Sequence, residues 1–63
     1  MSIGKNIKAR REELKLSQVR LAEQAGITQS MLCQIERGTK TVSLPLGKEI
    51  ADLLDCKIED LLD

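Results

Sequence analysis

Apolar residues recur along this chain at the spacing of helix faces, and short polar breaks divide them into five blocks. The blocks cover about residues 3–14, 17–26, 28–38, 44–54 and 58–62. No segment alternates apolar and polar residues for long enough to predict a strand. The pattern therefore predicts an all-α chain of five helices, of which the last is short.

Residues suited to helix ends mark the breaks between these blocks. A Ser or Thr side chain can accept a hydrogen bond from the free N–H groups of a first turn, and such residues precede four blocks, at Ser2, Ser17, Thr28 and Ser43. Gly26 and Gly38 close the second and third blocks, where a helix commonly ends with a residue of positive φ. Within the first block, Ile3, Ile7 and Leu14 are expected to share one buried face.

The segment of residues 17–38 predicts two short helices joined by one tight turn. Small Ala22 lets the helices cross at close range, Gly26 makes the turn, and Ile27 packs inside it. The inward apolar stripe of the two helices consists of Leu21, Ala25, Leu32 and Ile35. A hairpin in any small helical bundle would also explain this stripe, but the small, turn and apolar residues together favour a helix-turn-helix unit.

The outward face of the third block carries polar or small side chains. At about 100° per residue, one arc of this helix contains Gln29, Ser30, Cys33, Gln34 and Arg37. Gln can bond the N6 and N7 atoms of adenine together, and Ser can donate or accept at a base edge. We therefore expect Gln29, Ser30 and Gln34 to contact bases in the DNA major groove, with a merely solvated face as the alternative.

Glu36 lies on the opposite arc, among apolar residues, where an unpaired carboxylate is costly. Arg11 in the first block is the partner that we expect for it. If the same guanidinium also reaches a DNA phosphate, the ion pair would fix its orientation. The alternative is a partly exposed Glu36 at the rim of the core.

Other residues near this unit suit contacts with the DNA backbone, which set position and salt dependence but not sequence choice. Gln18 stands in the first turn of the second helix, beside N–H groups that can hold a phosphate. The loop of residues 38–41 offers a turn, hydroxyl groups and the charge of Lys40. Arg37 and Lys40 could equally be charges that only keep the chain soluble.

Basic and acidic residues are distributed unevenly along the chain, which the net charge does not show. The formal net charge is zero and the isoelectric point about 6.2, which by themselves argue against a nucleic-acid partner. However, residues 1–43 carry eight Lys or Arg against four acidic residues, whereas residues 44–63 carry two against six. We therefore expect the basic part to approach phosphates and the acidic end to point away.

The composition argues against several other classes of protein. The 63 residues include no His and two Cys without a Cys-x-x-Cys motif, so no metal or other cofactor is expected. Cys33 could contact a thymine methyl group or be oxidised, but an incidental small residue is favoured, and Cys56 is expected to fill the core. Without a catalytic constellation or a concave site, neither enzymatic activity nor a small-molecule ligand is expected. No signal peptide, membrane-spanning run or lipidation motif is apparent, so we expect a cytoplasmic protein without a membrane partner.

Several motifs carry a resemblance to a known family: Ser17-Gln18, Leu21-Ala22, Gly26, Thr28-Gln29, Ile35-Glu36 and Gly38, followed by Glu49-Ile50-Ala51 and residues 58–62. Through them the chain resembles the phage repressor and Cro family of helix-turn-helix regulators, also called the XRE type. The resemblance implies one compact five-helix domain of the lambda-repressor type over residues 1–63 that binds double-stranded DNA. It further implies a nucleoid-associated repressor, from a bacterium or a phage, that binds a palindromic operator as a homodimer.

The resemblance also assigns roles to residues by their position. Gln29, Ser30 and Gln34 would contact bases, and Arg11 with Glu36 would form the arginine–glutamate pair of the family. The residues at the DNA backbone would be Gln18, Thr28, Arg11, Arg37, Lys40 and Thr41. The residues near the dimer contact would be Ile58, Glu59 and Leu62.

The chain departs from the family pattern at a few positions. Ser30 stands where close phage relatives have a second Gln, so their operator sequence does not transfer to this chain. Asp55 stands where a Gly often ends the fourth helix, and Lys57 replaces the usual Ser or Thr cap of the fifth. A second class of function also stays open, namely a protein-interaction module of the antitoxin or adaptor type that uses the same fold without contacting bases.

Overall fold

The computed structural model describes residues 3–62, and this range contains five α-helices and no strand. The helices are α1 (Ile3–Glu13), α2 (Gln18–Ala25), α3 (Gln29–Arg37), α4 (Leu44–Leu53) and α5 (Ile58–Leu62). The prediction of an all-α fold of five helices is confirmed, and each helix lies within its predicted block. Ser2, the predicted cap of the first helix, lies outside the described residues.

The residues predicted to cap or end the helices do so in the structure. Ser17, Thr28 and Ser43 each accept a hydrogen bond from the N–H group of the third residue of the following helix, at 3.0, 3.0 and 3.3 Å. Each bond satisfies a donor that has no partner within the helix. At the other ends of α2 and α3, Gly26 and Gly38 adopt left-handed conformations with φ of 73° and 82°. Residues next to α2 and α3 therefore determine where these two helices begin and end.

The core is aliphatic and draws on all five helices. α1 packs against α3 and α5, α2 packs against α3 and α4, and α4 also packs against α5. The buried hydrophobic residues are Ile7, Leu21, Ala22, Ala25, Leu32, Ile35, Ile50, Ala51, Leu54 and Leu61. Burying one large side chain of this kind contributes about 1.5–3 kcal/mol. The predicted apolar stripe of α2 and α3 lies entirely within this core.

The prediction that Leu14 shares the buried face of α1 is wrong. Leu14 is 43% exposed because α1 ends just before it and Lys15 turns the chain with a φ of 56°. The buried face of α1 consists of Gly4, Ile7 and Arg11, and Leu16 packs against the core beyond the turn. Helical spacing therefore does not apply to Leu14, which lies past the last residue of the helix.

A close approach of α1 to α3 depends on Gly4, which the hydrophobic pattern does not single out. A Cβ atom on Gly4 would overlap the carbonyl oxygen of Ile35 and lie 3.0 Å from the carbonyl carbon of that residue. The first turn of α1 therefore lies directly against the backbone of α3. This contact fixes the position of α3 from the side opposite its exposed face.

Side chains of α1 hold the C-terminal segment. Arg10 donates from Nε to the carbonyl oxygen of Leu54 at 3.0 Å and from Nη2 to that of Asp55 at 3.3 Å. Asn6 donates from Nδ2 to the carbonyl oxygen of Leu61 at 2.8 Å. These bonds satisfy carbonyl groups at helix ends that have no partner within the helix.

The two departures of this segment from the family pattern have local explanations. Asp55 takes the left-handed conformation that glycine adopts more easily, with a φ of 56°. The backbone N–H of Lys57 donates to Oδ2 of Asp60 at 3.1 Å, which is the half of a capping box that requires no Ser or Thr at the capping position. Cys56 lies half-buried against the core, as predicted, and burial raises the pKa of its thiol.

Candidate nucleic-acid interface

Close packing of α2 against α3 forms the helix-turn-helix unit. Ala22 and Ala25 are buried, and neither has a side chain large enough to hold the helices apart. After the left-handed Gly26, the N–H of Ile27 donates to the carbonyl oxygen of Ala22 at 3.0 Å. Ile27 then packs against the core. The turn therefore brings the N-terminus of α3 back onto the same core as α2.

The two faces of α3 differ as the helical spacing predicts. Leu32, Ile35 and Glu36 are buried, whereas the opposite arc is open to solvent. The exposed residues of this arc are Gln29, Ser30, Gln34 and Arg37, with Cys33 half-buried among them. The geometry leaves the three predicted base-contacting side chains accessible on one side of one helix.

Arg11 and Glu36 form a buried bidentate ion pair. Arg11 donates from Nε to Oε2 at 2.8 Å and from Nη2 to Oε1 at 3.1 Å, while its Nη1 donates to the carbonyl oxygen of Leu16 at 3.0 Å. The two side chains are 11% and 4% exposed, so the alternative of Glu36 at the rim is wrong. The hydrogen bond to Glu36 raises the pKa of Arg11 above its usual value despite burial, and the guanidinium stays charged.

Hydrogen bonds continue from this ion pair to the exposed face of α3. Gln18 donates from Nε2 to Oε1 of Glu36 at 3.1 Å. In turn, Gln29 donates from Nε2 to Oε1 of Gln18 at 3.4 Å. The first residue of α2 and the first residue of α3 are thus joined to the buried pair. No pattern in the sequence indicates this connection, because it depends on side-chain directions in the folded chain.

The residues predicted to meet the DNA backbone lie in different surroundings. Thr28, Arg37, Lys40 and Thr41 are exposed, Gln18 is half-buried, and Arg11 is buried. The hydroxyl group of Thr28 already accepts the capping bond from the N–H of Met31. Three side-chain N–H groups of Arg11 donate hydrogen bonds within the protein, so only its remaining N–H groups can donate to a phosphate. Their roles at DNA stay predictions.

A second surface feature is a groove of about 570 Å³ along α4 and α5. Leu44 and Leu62 are 66% and 56% exposed, and Ile58 is half-buried beside the exposed Glu59. The charged residues that line the groove are Lys48, Lys57, Asp52 and Glu59. The three residues predicted at the dimer contact therefore lie together. Leu44 was missed because it is far from them in sequence, at the start of another helix.

Two further properties concern only the part of the chain that the structure describes. Among residues 3–62, no group of three or more Cys, Asp or Glu side chains is arranged to hold a metal ion. None of the helices in that range has the length and apolar composition required to cross a membrane.

Comparisons with known proteins agree with this geometry. The family model HTH_3, described as helix-turn-helix, matches residues 7–61. The immunity repressor of Bacillus phage phi105 is 39% identical over 62 residues, which are 98% of this chain and 43% of that protein. SinR of Bacillus subtilis, solved in complex with DNA, shares 39% identity with a TM-score of 0.89, and the match covers 97% of this chain and 98% of that chain. The P22 c2 repressor, solved with a synthetic operator, shares 27% identity with a TM-score of 0.91 over 100% of this chain and 96% of that chain.

Fold and site together define a helix-turn-helix domain of the lambda-repressor type. The chain belongs to the HTH_3 helix-turn-helix family, and the resemblance to the repressor and Cro type is confirmed. The relatives are named as repressors and transcriptional regulators, which confirms the expectation that the domain is not an enzyme. The chain spans 43%, 29% and 56% of the length of three curated relatives that it matches.

Proposed function

We propose that this chain is a cytoplasmic, sequence-specific DNA-binding domain that represses transcription by occupying an operator. The observation that carries the proposal is the exposed arc of α3, whose polar side chains stand on a helix fixed by a buried ion pair. A major groove admits an α-helix, and the second helix of such a unit contacts base edges with its N-terminal residues. Binding at a site that overlaps a promoter is sufficient to block polymerase.

Gln29, Ser30 and Gln34 are the proposed base contacts. A Gln side chain can accept from adenine N6 and donate to N7, and Ser can donate or accept at a base edge. The backbone contacts are proposed for Gln18, Thr28, Arg11, Arg37, Lys40 and Thr41. Replacing Gln29 with Ala is expected to remove about 1–3 kcal/mol of discrimination at one base pair.

The operator is proposed to be a palindrome bound by a homodimer. Ile58, Glu59 and Leu62 would meet their counterparts, and Leu44 extends the same apolar surface. The groove carries basic and acidic side chains in equal number, so a two-fold axis can bring opposite charges together. The Leu62→Glu substitution is expected to shift sedimentation from dimer to monomer. A dimer that survives it would place the contact elsewhere.

Selection of bound sequences from a random double-stranded DNA pool, at about 150 mM salt, tests the whole proposal. An inverted repeat with half-sites about one helical turn apart is the expected product. The matched control is the Gln29→Ala protein, which should lose preference at one position of each half-site and keep the others. If folded protein enriches no sequence, the interaction-module function takes its place.

A further inference from the structure

The groove between α4 and α5 combines an exposed apolar patch with charged residues. Leu44 on α4 and Leu62 on α5 are the most exposed of the large hydrophobic side chains that the structure describes. Both line the groove, together with the half-buried Ile58. An apolar centre with polar residues around it is the usual composition of a protein–protein contact. The charged lining residues are Lys48 and Asp52 on α4, Lys57 just before α5, and Glu59 on α5.

None of these four charged side chains has an ionic partner within residues 3–62. All four are exposed. Lys48 and Asp52 stand four residues apart on one helix, at a spacing that permits an ion pair, yet they form none. The salt bridges of the described residues lie elsewhere, within α1 and between α1 and α3. The groove therefore presents two positive and two negative charges to another molecule.

These charges restrict the kind of molecule that fits the groove. Their sum is zero, so a strongly acidic or strongly basic partner would leave some of them facing like charges. A second copy of this chain brings the same two positive and two negative charges. In a two-fold interface, residue i contacts residue j while residue j contacts residue i. A second copy can therefore place an opposite charge against each of the four.

The two-fold axis also restricts which residues lie at the centre of the contact. A residue on the axis meets its own copy, which an apolar side chain tolerates and a charged one does not. Ile58 and Leu62 on α5 suit this central position. With α5 beside its counterpart, each α5 also lies along α4 of the other molecule, because α4 forms the second wall of the groove.

One ion pair follows from this arrangement. Lys48 is the only basic residue of α4, and it lines the groove. On α5, the carboxylate of Asp60 already accepts from the N–H of Lys57 and does not line the groove. Glu59 lines it and is unpaired within the described chain. The α5 helix of a second copy would therefore bring Glu59 to Lys48, and the symmetry makes this pair occur twice.

We propose that the groove receives α5 of a second copy of this chain, and that two reciprocal Lys48–Glu59 ion pairs select this partner. The inference rests on the homodimer of the proposed function and adds what determines the choice of partner. Exposed ion pairs contribute little affinity, which comes instead from the burial of Leu44 and Leu62. Like charges at the same positions, however, strongly disfavour a partner. A related domain with a basic residue in place of Glu59 would be excluded from mixed dimers.

Charge reversal tests the pair directly. Lys48→Glu and Glu59→Lys each place like charges at both copies of the contact, so each variant should dimerise about ten-fold or more weakly than the wild type. Sedimentation equilibrium without DNA measures the dissociation constants. A folded variant that dimerises as tightly as the wild type overturns the inference.

Mixing the two variants gives the sharper result. In a mixed dimer, the carboxylate introduced by Lys48→Glu faces the ammonium group introduced by Glu59→Lys, and the unchanged Lys48 and Glu59 face each other at the second contact. The mixture should therefore form dimers with one molecule of each variant, which native mass spectrometry identifies. If mixing restores no dimer, the two residues do not meet and the inference is wrong. If Asp52→Lys restores it in place of Glu59→Lys, two α4 helices face each other, which also overturns the inference.

The matched control reverses one basic and one acidic residue outside the groove. Lys8→Glu and Glu23→Lys change the same charges at exposed positions of α1 and α2. Each should dimerise as the wild type does, and mixing should change nothing. If these variants weaken the dimer equally, the effect belongs to the net charge and the inference fails.

Thermal unfolding checks that every variant is folded. Where Glu59→Lys is unfolded, Glu59→Gln takes its place, because it removes the attraction to Lys48 without adding repulsion. Mixed with Lys48→Glu, it should relieve part of the defect. A mixture that dimerises no better than Lys48→Glu alone overturns the inference.

The response to salt is a second readout of the same pair. The Debye length falls from about 10 Å at 0.1 M salt to about 3 Å at 1 M, so added salt screens exposed charges. Raising the salt concentration should weaken the wild-type dimer and strengthen the Lys48→Glu dimer, which brings the two dissociation constants together. If both proteins respond in the same direction and to the same extent, Lys48 has no charged partner across the interface.

The outcomes separate this inference from the proposed function. If Leu62→Glu gives monomers while the charge-reversed variants dimerise normally, the homodimer stands and only the ion pair fails. If the wild-type chain is monomeric at every concentration, the homodimer and the inference fail together. Selection of bound DNA sequences by the wild type and by Gln29→Ala decides independently whether the domain binds DNA with sequence preference.

Discussion

The helix-turn-helix unit and the C-terminal segment of residues 54–62 are held in place by different kinds of interaction. In the unit, Ser17 and Thr28 cap the helices and Gly26 turns the chain, so the structural signals lie beside the elements that they control. In the C-terminal segment, bonds from Asn6 and Arg10 reach across 44 to 55 residues of sequence. The unit is encoded locally, whereas the segment is positioned mainly by α1.

This difference has a consequence for function. The proposed DNA surface belongs to the locally encoded unit, and the proposed dimer groove lies between α4 and the segment held from a distance. Both regions nevertheless depend on α1, through Gly4 and Arg11 on one side and through Asn6 and Arg10 on the other. Substitutions in α1 can therefore separate the two regions experimentally.

The largest effect is expected from Arg11→Met, which leaves Glu36 charged and buried without its partner. Breaking a buried pair in this way costs about 3–5 kcal/mol, and a domain of this size has a free energy of unfolding of roughly 3–9 kcal/mol. Urea unfolding should show that most of the stability is lost. Replacing both partners, as Arg11→Met with Glu36→Leu, should recover much of it, because no charge is then stranded. A fully stable single variant would show that the pair is not buried.

A smaller loss is expected from Gly4→Ala, which tests the close approach of α1 to α3. The new Cβ atom would overlap the carbonyl oxygen of Ile35, and overpacking of this kind costs about 1–3 kcal/mol. Gly47→Ala is the matched control, because its Cβ atom would meet only the flexible ends of two side chains, Ile58 at 3.2 Å and Ile3 at 3.9 Å. In thermal unfolding, the melting temperature of Gly4→Ala should therefore lie well below that of Gly47→Ala. Equal melting temperatures would contradict the backbone contact.

Asn6→Ala is expected to loosen the C-terminal segment alone. It removes the hydrogen bond to the carbonyl oxygen of Leu61, which contributes about 1 kcal/mol. Hydrogen exchange should become faster in α5 while α2 and α3 stay protected. Ser17→Ala removes the cap of α2 at a similar cost of about 1 kcal/mol. In this variant, hydrogen exchange should become faster in α2 and α3 while α5 stays protected. If both variants loosen the same helices, the chain unfolds as one unit and the comparison of the two regions fails.

The sequence was sufficient for the features that depend on local chemistry. The capping residues, the left-handed glycines and the inward stripe follow from rules that need only near neighbours. The pairing of Arg11 with Glu36 was also predictable, because a carboxylate on an apolar helix face requires a partner and few arginines lie in reach of it. These features define both the fold and the exposed face of α3.

The features that were missed depend on three-dimensional proximity. Leu14 was misplaced because helical spacing does not show where α1 ends. Gly4 was overlooked because a glycine in a first turn gives no periodic signal for a backbone contact with Ile35. Leu44 was missed because it is far in sequence from Ile58, Glu59 and Leu62, beside which the fold places it.

The smallest expected effect is a difference in thiol reactivity between one cysteine of each region, Cys33 in the helix-turn-helix unit and Cys56 in the C-terminal segment. Cys56, in the C-terminal segment, has a thiol pKa raised chiefly by burial, so less of its reactive thiolate is present at a given pH. Its alkylation by iodoacetamide should be slow at neutral pH and should accelerate only in more alkaline solution. Cys33, on the arc of α3, should lose reactivity when operator DNA is added.

Mass spectrometry of the two cysteine-containing peptides measures both rates in one sample. Denaturant should bring the rate of Cys56 up to that of an ordinary unfolded thiol, since the burial that raises its pKa is then lost. DNA should leave the rate of Cys56 almost unchanged, because the proposed DNA surface lies on α3 and Cys56 lies between α4 and α5. Protection of Cys56 together with Cys33 would mean that DNA or dimer formation covers both regions, and the two surfaces would then not act separately.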